Sequence, residues 1–280
     1  MTKKNFKITL VAILVFLALV IIGISENFFS LEKKAAVSAR RGMDWLLKYD
    51  GDLNDPGILW AINEINKDYC SSNPAKSRGD NGASELEDFV FERFGEFENH
   101  PVDAAYKKLI TGFDGLTTGG SGGEKPSDET IKMSGKKYDS ELLDALYCDG
   151  TEPKKLQREP ENQGFFGYDL THKFLAIVIA KNNNCAGERE INRQLDATAA
   201  QIINEENNST FDDLFAERVA LLEYAGYKES VEKKWIETII KKQNSSGSWN
   251  NSALFGMPND PHTTALATWA LAQYAGACPL

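Results

Sequence analysis

No stretch of this 280-residue chain alternates apolar and polar residues over a strand's length, which argues against a sheet-dominated fold. Its glycine-rich stretch, residues 112–127 with Gly119-Gly120-Ser121-Gly122-Gly123, lacks the ordered GxxxxGK[ST] of a phosphate-binding loop. A flexible loop near 112–137 or a junction between subregions is the reading that remains. Cysteine is sparse: Cys70, Cys148, Cys185 and Cys278 are widely spaced and form no CxxC pair. Disulfides or buried thiols are both compatible with them, and the three complete pairings stay open. Positive charge is also in short supply, with 31 Lys and Arg against 41 Asp and Glu. Setting aside Lys3, Lys4 and Lys7 leaves 28 basic residues against the same 41 acidic ones. Such a field disfavours nucleic acid and anionic lipid as partners and leaves neutral glycans, peptides and basic proteins open.

What the sequence has in plenty is helix. Apolar residues make up 42% and charged residues 26%, the balance of a folded domain. Residues 8–24 are an uncharged apolar run that would span roughly 25 Å as a helix at about 1.5 Å per residue. With the lysines before it and Glu26 after it, the run reads as a transmembrane signal-anchor. The expected organisation is a cytoplasmic basic tail over 1–7, the anchor over 8–24, a linker over 25–34 and an extracytoplasmic helical domain over 35–280. That reading makes the lipid bilayer a partner and places the chain as a single-pass protein of the cell membrane. Cleavage of the run as a secretory signal is the alternative, although Phe28 and Phe29 stand where small residues would be expected. Asn207, Asn208, Asn244 and Asn250 fit the N-x-[ST] pattern, which matters only in a host that glycosylates it.

Beyond the anchor, periodicity gives helices over 35–49 and from Asp55-Pro56 through Ile65, where an acidic cap and a first-turn proline mark the start. Further helices are expected over 84–94, 102–113, 140–147, 171–180, 191–204, 211–224, 231–242 and 262–274. Those over 171–180 and 262–274 are almost wholly apolar or small, whereas 231–242 sets Val231, Trp235, Ile236, Ile239 and Ile240 against a Lys/Glu side. Nearly buried helices alternating with amphipathic ones imply an inner layer wrapped by an outer one.

The segment Lys242-Gln243-Asn244-Ser245-Ser246-Gly247-Ser248-Trp249, followed by Asp260-Pro261-His262 and the small-residue run to Leu271, resembles one repeat of the terpenoid-cyclase/protein-prenyltransferase toroid superfamily. There an outer helix ends in a Q-x-x-x-G-x-W-like turn and an inner helix follows. The resemblance is strongest over 231–275 and implies an all-α fold, a ring of paired helices around a cavity. The superfamily's catalytic motifs are not retained. The acidic DxDD is absent, with Asp196-Ala197-Thr198-Ala199 keeping at most one acid, and the zinc arrangement of Asp, Cys and His is not reproduced. The Gly-Cys-Gly-Glu-Gln segment of thioester domains is missing too.

Asp169-Leu170-Thr171-His172 and Asp260-Pro261-His262 are the leading candidate catalytic residues. Each motif is expected to set an Asp at an N-cap and a His in the first turn of an apolar helix, where the helix field favours a neutral imidazole. Ring geometry would gather such starts at one cavity mouth, although the two motifs also fit plain helix capping. Cys148 and Asp149 with His172 or His262 would make a donor set suited to Zn²⁺, unless Cys148 pairs with Cys185. Phe165, Phe166, Tyr168 and Trp269 are candidate ligand-binding aromatics, for which core packing is the alternative. Asp149, Asp169, Asp196, Asp212, Asp213 and Asp260 offer carboxylates for glycan cleavage, which needs two of them about 5 Å or 6.5–9.5 Å apart. The leading functional expectation is therefore a membrane-anchored extracytoplasmic binding or scaffold domain with a toroid-like cavity. A glycan hydrolase or lyase of the cell envelope, and a metal-dependent enzyme of toroid fold, are the alternatives.

Overall fold

The computed structural model describes residues 30–51, 53, 55–70, 139–148, 167–185, 187–207, 209–251 and 257–280, with isolated positions between 86 and 129. Their helices are α1 (Leu31–Leu47), α2 (Pro56–Ile65), α3 (Asp139–Leu146), α4 (Tyr168–Asn182), α5 (Glu188–Glu206), α6 (Asp213–Tyr224), α7 (Lys233–Lys242) and α8 (Pro261–Ala275). A π-helical turn, Asn66–Cys70, prolongs α2, and a 3-10 turn, Lys228–Ser230, precedes α7. Two short strands, β1 (Trp249–Asn251) and β2 (Met257–Asp260), pair antiparallel with Trp249 opposite Asp260. The helices expected over 84–94 and 102–113 fall mainly or wholly outside the described residues, as does the loop near 112–137.

Local chemistry sets the helix starts. Ser30 caps α1 by accepting from Lys33 N, and Asp55 caps α2 by accepting from Gly57 N at 2.7 Å, with Pro56 at the first helical position. Asp212 caps α6 through Phe215 N at 2.9 Å. Asp260 caps α8 through Thr263 N at 2.9 Å, again followed by proline, and α8 ends on Gly276 at φ 60°. Helix α4 differs. Its cap is Gly167 at φ 58° with no side-chain hydrogen bond, and Tyr168 is already helical. Asp169 therefore lies inside the first turn of α4 rather than at the expected cap.

Helices α2, α4, α6 and α8 run in the same direction and form an apolar inner set, touching in the order α4, α6, α8, α2. Helix α5 lies against α4 and α6, α3 against α4, and α1 and α7 against α8. Chain connection accounts for part of the common direction. Helix α5 ends beside the start of α6 and the turn before α7 meets the end of α8, so each returns the chain. Helix α3 instead ends beside the end of α4, where Asn183 donates to Ala145 O and Cys148 meets Cys185. Trp60, Tyr224 and Trp269 meet in the inner core, with ring centroids 4.8–5.4 Å apart and two of the three pairs edge to face. Cys70 is bonded to Cys278 and Cys148 to Cys185, so every cysteine is paired. The first bridge joins the far ends of α2 and α8 across 208 residues of sequence, a closure worth about 5 kcal/mol on chain-entropy grounds.

The turn after α7 locks the outer layer to the inner one. Gln243 Nε2 donates to Ser38 O and to Gly247 O, both at 2.8 Å, spanning from the turn to α1. Arg41 Nη2 of α1 donates to Asn244 O and Ser245 O at 2.9 Å. Trp249 is fully buried, and its indole N–H donates to Ile239 O at 2.7 Å. Gly42 lets α1 approach closely, since a Cβ there would stand 2.1 Å from Thr268 Oγ1 and 2.9 Å from the Trp249 ring.

The membrane expectation requires correction. Among the described residues no helix is long and apolar enough to cross a membrane, and residues 8–24 lie outside them. The apolar helices α4 and α8 have 15 residues each and extend about 22 Å, and the apolar α2 has only 10, all short of a bilayer core of about 30 Å. Helix α5 is longer at 19 residues, but its first turn alone carries Glu188, Arg189 and Glu190. The single-pass anchor, the bilayer partner and the cell-membrane localisation, with the export topology built on them, are withdrawn. A mainly helical domain with a small β-ribbon stands in place of the anchored all-α toroid.

Gly247 offers the sharpest check of the packing. Its φ is 103°, and a Cβ would lie 2.4 Å from the Arg41 carbonyl oxygen. G247A is expected to cost about 2–4 kcal/mol in urea unfolding, while S246A in the same turn stays within roughly 0.5 kcal/mol of the parent.

Candidate functional site

The common direction of α2, α4, α6 and α8 brings four helix starts together, and the side chains there form one polar cluster. Asp213, on the first turn of α6, lies at its centre with only 5% of its side chain exposed. Its Oδ1 is 2.9 Å from His262 Nδ1 and accepts from Thr263 Oγ1 at 2.9 Å, both on α8. Its Oδ2 accepts from the Tyr168 hydroxyl of α4 at 2.9 Å. One carboxylate thus joins three helix starts. On the other side of His262, Nε2 is 4.0 Å from Asp55 Oδ1, the cap of α2. Gly57 makes room for that approach, because a Cβ on it would sit 3.1 Å from Nε2. One turn along α6, Glu217 Oε1 is 3.3 Å from His172 Nε2, and the His172 ring stacks on Tyr168 at 6.0 Å.

Electrostatics fix the protonation of the central pair. Burial disfavours charge on His262, yet the Asp213 carboxylate and its hydrogen bond, with Asp55 and Glu217 behind, push the imidazole up to about 10. Burial would likewise raise the Asp213 carboxyl, but His262, then the hydrogen bonds from His262, Tyr168 and Thr263, hold it below the usual aspartate value. Burial, followed by the Asp213 charge, lifts the Tyr168 phenol far above its ordinary value, so it remains a donor. His262 is therefore an imidazolium at neutral pH, contrary to the neutral ring expected from helix-end reasoning alone. The adjacent carboxylate outweighs the partial positive charge of the helix start.

These contacts define what the cluster can do. His262 is a donor rather than a base, and Asp213 is partnered by His262 and Tyr168 and shares the Thr263 hydroxyl with Asp260. Acceptor capacity remains at Asp55, whose side chain is 47% exposed, and at Glu217, whose buried Oε2 has no hydrogen-bond partner among the described residues.

Of the expected candidates, His172 and His262 enter one network although 90 positions separate them. Asp260 takes part as the cap whose Oδ2 shares the single Thr263 hydroxyl proton with Asp213. Asp169 is half-buried in the first turn of α4. Tyr168 joins the cluster, whereas Trp269 is fully buried against Trp60 and Tyr224 and faces no ligand site. Cys148 is held in its bridge to Cys185 and presents no thiolate, and Asp149, Phe165 and Phe166 lie outside the described residues. Among the described residues no group of three or more His, Cys, Asp and Glu side chains is placed to hold a metal ion, and the zinc reading loses its donor set. Sequence reasoning missed Glu217 entirely and treated Asp213 only as one carboxylate among many. Their spacing was the available signal: two acids at i and i+4 on a helix in which Leu214, Phe215, Ala216, Val219, Ala220, Leu221 and Leu222 make up most of the rest.

A different acidic group lies at the far ends of the inner helices. Glu223 is buried with neither carboxylate oxygen hydrogen-bonded among the described residues, and burial pushes its carboxyl up to about 8 against the pull of Lys228. Burial also raises Glu64, which shares a hydrogen bond with Tyr224.

Comparison of the chain with family models, curated proteins and solved structures gives no match. Lineage is not assigned on that footing, and function has to be argued from the site.

Two pH experiments follow from this geometry. The His262 imidazole binds its proton more tightly folded than unfolded, so the pair's stabilisation is complete below about pH 6.5 and drains away as pH rises towards 10. In urea unfolding, D213N is expected to cost about 3–5 kcal/mol at pH 6 and to flatten that alkaline slope. Glu223 has the opposite consequence. Its raised carboxyl penalises the fold as pH climbs from about 4.5 to 8, and E223Q is expected to gain roughly 2–4 kcal/mol at pH 7–8 and little at pH 4.

Proposed function

We propose that the chain is a binding domain for a small polar ligand, seated on the cluster at the gathered helix starts. The observation that carries this reading is the three-way coordination of Asp213, which fixes Tyr168, His262 and Thr263 from two other helices around one carboxylate. Groups held by such second contacts lose little freedom when a ligand arrives, which is the requirement for a preorganised site. The cluster also keeps part of its surface open: His262 is 29% exposed, and Tyr168 and Asp55 reach solvent beside it. Its excess of carboxylates over imidazoles selects ligands that present hydrogen-bond donors. Catalysis is not required by this arrangement, because its central acid is already paired with His262 and its central imidazole stays protonated.

Ligand-observed NMR against polyols, amino sugars, amino acids and amines tests the reading. At least one class is expected to bind the intact chain with affinity reduced tenfold or more in H262Q, while circular dichroism shows that variant folded. Absence of binding across the panel, or binding indifferent to H262Q, would leave the cluster as a tie between helices and overturn the proposal.

A further inference from the structure

Within that site, whose existence as a ligand site is the reading just given, one atom specifies the ligand further. Glu217 is 5% exposed, and its Oε1 faces His172 Nε2 at 3.3 Å. The other oxygen, Oε2, is buried and accepts no hydrogen bond from the described residues. A buried carboxylate oxygen left in this state costs a few kcal/mol, roughly 1–3 for the missing partner alone, so a donor group arriving there recovers a large free energy. Acceptors and donors are unequally available around it. The Tyr168 hydroxyl proton is spent on Asp213, the single Thr263 hydroxyl proton is taken up between Asp213 and Asp260, and the Nδ1 side of His262 is turned to Asp213. Asp55, Asp213, Glu217 and Asp260 bring four negative charges to the helix starts. Protonation of both His172 and His262 would still leave the group negative.

A neutral hydroxyl satisfies the hydrogen bond to Oε2 but not the charge. An ammonium group satisfies both, and a charge-assisted N–H···O contact is about twice as strong as a neutral one. Carboxylate and phosphate ligands are repelled by the same four acids. Aromatic surface is provided by the stacked Tyr168 and His172 rings, which lie one turn apart on α4 and flank the Glu217 approach. We infer that the site takes an organic amine, its ammonium donating to Glu217 Oε2 between α4 and α6 and its remaining N–H groups turned towards Asp55 and solvent.

The test sets two uncharged-versus-charged probes of matched length against the intact chain. By calorimetry or by chemical shifts of the imidazole protons, 1,4-diaminobutane is expected to bind at least tenfold tighter than 1,4-butanediol. E217Q is expected to remove that preference, whereas K234A, on the outer face of α7, leaves it intact. Should E217Q fail to fold by circular dichroism, the contrast between the two probes on the parent chain still decides. Equal or tighter binding of the diol overturns the amine assignment and leaves the polar-site reading standing. Binding of neither probe also overturns the amine assignment, and the broader reading then rests on the ligand panel and H262Q. Diamine binding that is tight but unchanged in folded E217Q places the amine elsewhere and contradicts the inference.

Discussion

The Asp213 carboxylate holds three helix starts in register, and the inner layer depends on that contact. Four helices running in one direction bring four partial positive charges to the same end, which is unfavourable unless negative charge is supplied there. Asp55, Asp212 and Asp260 supply it as caps, each satisfying a backbone N–H that the helix itself leaves unpaired. Asp213 does more than cap. It lies one residue into α6, is buried, and takes hydrogen bonds from α4 and α8 at once. A buried carboxylate of this kind is tolerable only when fully partnered, and the His262 imidazolium completes the set.

The two ends of the inner layer therefore treat the same chemistry in opposite ways. At the starts, charge and hydrogen bonds overcome burial and keep Asp213 ionised. At the far ends Glu223 has no hydrogen-bond donor among the described residues, and the donors on Glu64, Lys67 among them, do not offset its burial. The helix field there is unfavourable to anions, and burial raises both carboxyls. Stability is concentrated elsewhere as compensation: the Cys70–Cys278 bridge closes those far ends covalently, and the Trp60, Tyr224 and Trp269 rings fill the space before them. Polar contacts gather at the helix starts, and apolar packing fills the middle.

Much of this was legible in the sequence wherever a local rule acts alone. Asp55-Pro56 and Asp260-Pro261 announced their helix starts, and the small-residue run after His262 announced a helix buried on every side. The turn at Gln243, Gly247 and Trp249 was read through a resemblance, and the structure gives each of the three a physical role there. Gln243 spans to α1, Gly247 adopts a positive φ and Trp249 fills a gap. Reading failed where two elements decide together. The charge on His262 depends on Asp213, 49 positions away, and helix-end reasoning without that partner gave the wrong protonation state. Tyr168 and Trp269 looked alike as aromatics near helix starts, yet one hydroxyl reaches Asp213 while the other ring lies in mid-helix against two neighbours. Cys148 suited a metal as well as a bridge until its distance to Cys185 was known. The apolar run near the N-terminus was read as an anchor, an assignment that the described helices do not carry.

The central claim is that Asp213 and His262 form an ion pair at neutral pH that organises the helix starts. Nitrogen-detected NMR of the imidazole rings, assigned with H262Q, measures it directly in the intact chain. A His262 ring still doubly protonated at pH 8.5 is the expected result. A ring that loses its proton near the ordinary histidine value of about 6.5 would contradict the ion pair and the architecture of the site built on it.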